Sequence, residues 1–296
     1  MNRARAGVRA FSASARASLL REISVAQRVL GRGASEVGVH NARKAIKRAR
    51  ATLRLLRPTL GAERFAREDH SLRRAARWLG GVRDADVLIE TLEGLRAGRS
   101  RRAGGSLENA LRARLRSERL RARRKVERKL TSAQRTLRAI ETRVRAWPAR
   151  IDATNDLAGG AARLYAKARK AYKAARSAEC SDEALHACRK QAKYVWHAFE
   201  LLSEVHPARL DALAKRAHEV ADQLGEDHDL ALLRAELNGL RDGDSADRAE
   251  LVRQIERRRD RLQERALAHA AELYAKKPKR FARDLLDEFT DWELVA

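Results

Sequence analysis

Residues 39–58 read VHNARKAIKRARATLRLLRP. Val39, Ala42, Ile46, Ala49, Leu53, Leu56 and Leu60 recur at alternating steps of three and four, the spacing of one apolar seam on a helix. One position on, the same steps pick out His40, Arg43, Lys47, Arg50, Arg54 and Arg57. A shift of one residue turns a helix by about 100°, so a cationic row lies beside the seam, widened by Lys44 and Arg48. No carboxylate interrupts it between His40 and Arg57. Like charges one turn apart repel by a few tenths of a kcal/mol, roughly. Leaving that repulsion uncompensated makes sense if a polyanion supplies the missing charge.

The stretch has a partner. From residue 185 the chain reads LHACRKQAKYVWHAFELL, with Leu185, Cys188, Ala192, Val195, Phe199 and Leu202 in the same rhythm. His186, Arg189, Lys190 and Lys193 fall at the offsets of His40, Arg43, Lys44 and Lys47. Further on, Leu79-Gly80-Gly81-Val82-Arg83-Asp84 is echoed by Leu224-Gly225-Glu226-Asp227-His228-Asp229. The prolines agree: Pro58 and Pro207 follow the two histidine helices, while Pro148 and Pro278 close the last long helix of each half. Because proline breaks helix interiors, its restriction to matched boundaries is what two copies of one bundle produce.

A helix opening H-x-x-R-K-x-x-K, followed some forty residues on by L-G-x-x-R-D-x-D-V, resembles the CHAD family, the conserved-histidine α-helical domain. The resemblance spans both halves and so nearly the whole chain. It implies a duplicated helical bundle around a basic central cavity, no catalysis, and binding of inorganic polyphosphate. The expected repeats are residues 14–148 and 152–290, together one domain of this type.

Composition leads to the same fold class without the family. Hydrophobic residues make up 44 % but aromatics only 4 %, and a core rich in Ala and Leu suits closely packed helices. The expected class is all-α. Helices are predicted over 14–30 (burying Leu19, Leu20, Ile23, Val25, Ala26 and Leu30), over the histidine stretch, and over 62–79. A fourth is predicted with Asp84 at its N-cap, then a long Arg-rich one over 106–147. The second half repeats the series. Residues 94–105 and 238–243 are expected to be loops, the first one basic through Arg99, Arg101 and Arg102.

A net charge of +25 implies a polyanionic partner: nucleic acid, polyphosphate or an anionic membrane surface. Cys180 and Cys188 form no C-x-x-C motif, and with His186 they match no familiar metal spacing. Cys188 is expected in the apolar seam and Cys180 on the surface or in a loop. No apolar run reaches membrane-span length. The Arg- and Ser-rich start resembles a transit peptide in composition; the plainer reading is an extension of the first helix. The expected location is cytoplasmic, in association with polyphosphate granules.

The expected site takes in His40, Arg43, Lys44, Lys47, Arg48, Arg50, Arg54, Arg74, Arg77, Arg83, His186, Arg189, Lys190 and Lys193. The basic run Lys276, Lys277, Lys279 and Arg280 joins it through an L-Y-A-x-x-P segment that the family resemblance covers. Neither His40 nor His186 has a nucleophile, paired carboxylate or second histidine at useful spacing, so phosphate contact or simple packing is favoured over acid–base or metal chemistry. Asp84, Asp86 and Asp229 suit caps and ion pairs better than Mg²⁺. The chain carries no Walker-A loop, no G-x-G-x-x-G and no E-x-E-x-K signature of the triphosphate tunnel hydrolases that often accompany the family. No cofactor, metal or catalytic residue is expected. Polyphosphate is the first partner, nucleic acid at low salt the second, and an enzyme acting on phosphate chains the third reading. The halves differ in charge: Trp196 and Glu200 stand where the first has Arg50 and Arg54, and Glu219 and Asp222 where it has Arg74 and Arg77.

Overall fold

The computed structural model describes residues 2–96, 106–148, 154–177, 180–203, 207–240 and 245–295, with side chains from residue 15 except at 82–84, 96, 154–156, 207–208 and 288–295. The described residues form helices and no strand: α1 (Asn2–Gly31), α2 (Glu36–Leu55), α3 (Arg57–Trp78), α4 (Val82–Arg96), α5 (Ser106–Arg145), α6 (Thr154–Ala175), α7 (Asp182–Leu202), α8 (Pro207–Asn238), α9 (Ser245–Leu273) and α10 (Pro278–Val295). No helix among them is long and apolar enough to cross a membrane.

The two histidine helices start the same way. The Ser35 hydroxyl accepts from the Gly38 amide and the Ser181 hydroxyl from the Ala184 amide, each at 3.2 Å. Each cap satisfies an amide that has no partner within its own helix. Glu36, and Asp182 with Glu183, put negative charge on the positive end of the dipole. Every seam residue read from the sequence is buried, Val39 to Leu60 in the first half and Leu185 to Leu202 in the second. Ala45, Ala51 and Leu55 are buried too, so α2 is enclosed on more than its seam. It packs on α1, α3, α6 and α7, and α7 packs on α6 and α8. Small residues allow this crowding: a Cβ on Gly160 of α6 would sit 2.1 Å from the Leu55 carbonyl oxygen.

The apolar residues form two clusters, and these cut across the halves. The main one runs from Ala15 to Leu285 through α1, α2, α3, the later part of α5, α6, α7, the first part of α8, the end of α9 and α10. A smaller one joins α4 and the start of α5 to the end of α8 and the start of α9. Arg119 of α5 ties the distal α4 to α2, reaching Asp86 at 2.9 Å and Glu36 at 2.7 Å. Buried Arg259 of α9 does the same in the second half, bonding Asp227 of α8 at 2.9 Å and pairing with Asp182, the first residue of α7.

Several details depart from the sequence reading. Gly80-Gly81 separates α3 from α4, whereas the matching Gly225-Glu226 lies inside the continuous α8. Gly81 has φ 94°, a left-handed conformation that no non-glycine among the described residues adopts; glutamate there continues the helix. The fourth helix starts at Val82, which puts Asp84 in its first turn rather than at the cap. Gly94 is helical, and Arg99, Arg101 and Arg102 lie outside the described residues. Val25 is 37 % exposed instead of buried. By contrast, Gly61 (φ 75°) kinks α3 near its start, so its long straight part begins at residue 62, where the sequence reading put it.

Candidate anion-binding cleft

Because α2 and α7 pack together, their two cationic rows line one cleft. It has two connected lobes, of about 1250 Å³ and about 700 Å³. Arg43, Arg50, His186, Lys190 and Tyr194 border both.

The larger lobe is walled by α2, α3, α6 and α7, with Lys125 of α5 at its edge. Among the described residues ten lysines and arginines line it and no carboxylate does. Asp69 nevertheless stands just behind the wall, buried on α3. Its carboxylate accepts from Arg50 Nε at 3.1 Å, Arg54 Nη1 at 3.0 Å and Arg73 Nε at 2.8 Å. Burial pushes the Asp69 carboxyl up, but Arg54, Arg50 and Arg73 outweigh it and hold the group below its usual range. One carboxylate thus orients three guanidiniums and leaves the cluster with surplus positive charge. Next to Asp69, Glu68 is buried under a bidentate pair from Arg143 of α5 at 2.8 and 2.7 Å, which fixes α3 against α5.

The aromatic rings of this lobe are covered by cations. The Arg54 guanidinium lies 4.0 Å from the Tyr194 ring centroid, and that of Arg57 4.8 Å from Phe65. Arg54 sits below its ordinary pKa, first through burial. Lys167 of α6 does so too, through burial and then the charges of Arg57, Arg54 and Arg163. Crowding of this kind stores repulsion that an anion would relieve.

The smaller lobe lies between α2, α7 and α8. Its cations are Arg43, Lys44, Lys47, Arg50, Arg189, Lys190 and Lys193, its histidines His40, His186, His197 and His228, and its carboxylates Asp222 and Asp229. Burial, then Arg189 and Lys47, lower Lys193 to about 8. Arg43 and Arg189 make matching contacts. Arg43 Nη1 donates to the Leu79 carbonyl at 3.0 Å and would meet a Cβ on Gly80 at 3.1 Å. Arg189 Nη2 would meet one on Gly225 at 3.3 Å. The glycine of each L-G pair makes room for the arginine of its own histidine helix. Arg189 Nε is buried with no hydrogen-bond partner among the described residues.

Eleven of the eighteen expected residues therefore line the cleft: His40, Arg43, Lys44, Lys47, Arg50, Arg54, Arg77, His186, Arg189, Lys190 and Lys193. Others do not. Arg48 turns toward Glu22 of α1, 3.9 Å away, drawn outward as well by Glu200. Arg74 lies over Trp78, with Arg73 and Arg77 as the cleft-lining pair of α3. Lys276 pairs with Asp284, and Lys277, Lys279 and Arg280 are exposed near the α9–α10 turn and absent from the cleft lining. The Arg83 side chain lies outside the described residues. Cys188 is buried and Cys180 exposed. Among the described residues no group of three or more His, Cys, Asp or Glu is placed to hold a metal ion.

The expected site left out Arg57, although it belongs to the cationic row, and the sequence reading missed Arg73, Lys125, Arg163, Lys167 and His228 as cleft residues. A signal existed for α6: from Leu157 to Ser177 it carries Arg163, Lys167, Arg169, Lys170, Lys173 and Arg176 and no carboxylate, the same uncompensated charge that marked α2. Lys125 had no such signal, since α5 is cationic on every side.

A family model described as "CHAD domain" matches residues 13–238. Among solved structures, the fold is similar to the crystal structure of the CHAD domain from the plant Ricinus communis, with TM-score 0.61 and 18 % identity, covering 90 % of this chain and 92 % of that one. The sequence matches no curated protein.

Proposed function

The chain belongs to the CHAD domain family, and from that premise and the cleft we propose that it binds inorganic polyphosphate without acting on it chemically. One observation carries the reading: among the described residues ten cations and no carboxylate line the larger lobe, while Tyr194 and Phe65 are already covered by guanidiniums. A linear phosphate chain needs aligned cations and no stacking surface. Arginine forks engage phosphate oxygens two at a time, and Asp69 holds three of them in place. Single-stranded nucleic acid gains much of its hold from bases stacked on open aromatic rings, and here Arg54 occupies that position over Tyr194. The repeats 14–148 and 152–290 act in this reading as one unit, each giving one wall of the cleft. The protein works in the cytoplasm, at polyphosphate granules.

The test is a salt-matched competition of long-chain polyphosphate against single-stranded RNA and duplex DNA. All three bind at low salt, since counterion release rewards any polyanion. Polyphosphate is expected to stay bound at a salt concentration that strips both nucleic acids. Loss of all three together would make the protein a general polyanion or nucleic-acid binder instead.

A further inference from the structure

The two lobes are built from different chemistry. The larger is walled mostly by arginines, which keep their charge at any physiological pH. The smaller gathers four histidines and Lys193, groups able to change charge near neutrality or slightly above it.

Within it, the rings of His186 on α7 and His228 on α8 lie with centroids 4.5 Å apart. They sit among cations from two helices: Arg43, Lys44, Lys47 and Arg50 on α2, Arg189, Lys190 and Lys193 on α7. His40 of α2 and His197 of α7 add imidazoles, and among the described residues α4 adds the uncharged Val87. Against these stand Asp222 and Asp229 of α8, the first also 3.1 Å from His218. Among the described residues the lobe thus sets seven lysines and arginines against two carboxylates, before either imidazole is charged.

We propose that the smaller lobe is a proton-coupled phosphate subsite, in which a phosphate group enters as the His186–His228 pair and Lys193 take up protons. The inference rests on the polyphosphate reading above and adds a condition to it. Without an anion, the neighbouring cations oppose a further positive charge on either ring. His186 is held below its ordinary value by burial first and then by Arg189, Lys190 and Lys193; Lys193 is brought down to about 8. A phosphate between these groups reverses the sign of the local field and raises both values. Between the free and the bound value, binding draws a proton from solution. Affinity is therefore highest at pH below the free value and falls as pH rises through the window. For Lys193 that window opens at about 8; for His186 it opens below the ordinary histidine range. An arginine-only site shows neither.

The experiment is calorimetry of the full chain with long-chain polyphosphate, in pairs of non-phosphate buffers that differ in ionisation enthalpy at matched pH and salt. Interior phosphates of a long chain do not titrate near neutrality, so any protons counted belong to the protein. Uptake of about one proton is expected on the acid side of neutrality, with affinity changing about tenfold per pH unit across the window. In the His186→Gln/His228→Gln variant this uptake falls toward zero, and the weaker binding that remains is held by the arginine lobe. Histidine ring resonances of the wild type, followed with and without polyphosphate, read the same shift and decide the matter if the variant does not fold. Polyphosphate binding with no dependence on buffer would overturn the proton coupling and leave the proposed function standing. Undiminished uptake in a folded double variant would also overturn it. Absence of polyphosphate binding would remove the proposed function, and this inference with it.

Discussion

The guanidinium of Arg54, from the first half of the chain, rests 4.0 Å from the ring centroid of Tyr194, from the second. A cation and an aromatic ring from different halves thus complete one wall of the cleft. Tyr194→Leu fills most of the space but offers no π face. It is expected to weaken polyphosphate binding by about 1 kcal/mol, the scale of one partly buried cation–π contact. Tyr194→Ala also leaves a cavity and is expected to cost about 3 kcal/mol of stability. Thermal unfolding and titration of both variants separate the two effects.

Asp69→Asn leaves Arg50, Arg54 and Arg73 without their shared carboxylate. Removing one member of a buried ion cluster costs about 3 kcal/mol, read as a lower unfolding midpoint in urea. Polyphosphate is expected to restore part of the loss, because it offers the three guanidiniums a replacement anion. If Asp69 only competes with the ligand, the variant binds more tightly than the wild type; if it orients the arginines, binding weakens.

The same carboxylate makes stability depend on acidity. Despite burial, Arg54, Arg50 and Arg73 keep its folded pKa below the usual value. Its contribution is present above the ordinary carboxylate range and disappears as pH falls through the folded value. Unfolding midpoints measured down the acid range should drop less steeply for Asp69→Asn than for the wild type.

Cations inside and outside the cleft should differ in their effect on salt dependence. Arg57, Arg163 and Lys167 line the larger lobe, whereas Lys277, Lys279 and Arg280 do not. Changing the first three to Gln is expected to lower the slope of log affinity against log salt by about one unit for each phosphate-neutralising charge removed. The second triple change should leave the slope as it was. Equal slopes for the two triples would show that total charge, not the cleft, governs binding.

Two neighbouring glycines of α6 provide a packing test. A Cβ on Gly160 would come within 2.1 Å of the Leu55 carbonyl, while nothing lies within 4 Å of one on Gly159. Gly160→Ala is expected to destabilise by about 3 kcal/mol as α6 is pushed off α2. Gly159→Ala should stabilise by about 0.5 kcal/mol, since Ala is the better helix former. Circular dichroism melts of both variants give the comparison.

Much of this architecture was legible in the sequence because helices write their buried side in a fixed period. Every seam position of α2 and α7 is buried, and the offset of one residue placed the cationic rows correctly beside the seams. The failures have the opposite cause. Arg48 and Arg74 share the period of the cleft residues, but their direction is decided by Glu22, Glu200 and Trp78, which come from other turns and other helices. Asp69 was invisible as a partner of Arg50 and Arg54, since a gap of nineteen residues between helices leaves no periodic trace. The continuous α8 was missed as well, and its one trace in the sequence is Glu226 where the first half has Gly81.

Helices α1 and α10 pack against each other, so the first and last of the described helices share a seam beside the main core. A circular permutant, with a flexible linker long enough to run from α10 back to α1 and new termini between α4 and α5, would keep every helix in its place. It would also change which wall of the cleft is synthesised first, α7 then preceding α2. Unchanged affinity in such a permutant is the expected outcome, because the cleft depends on how the helices are packed and not on the order in which they are strung.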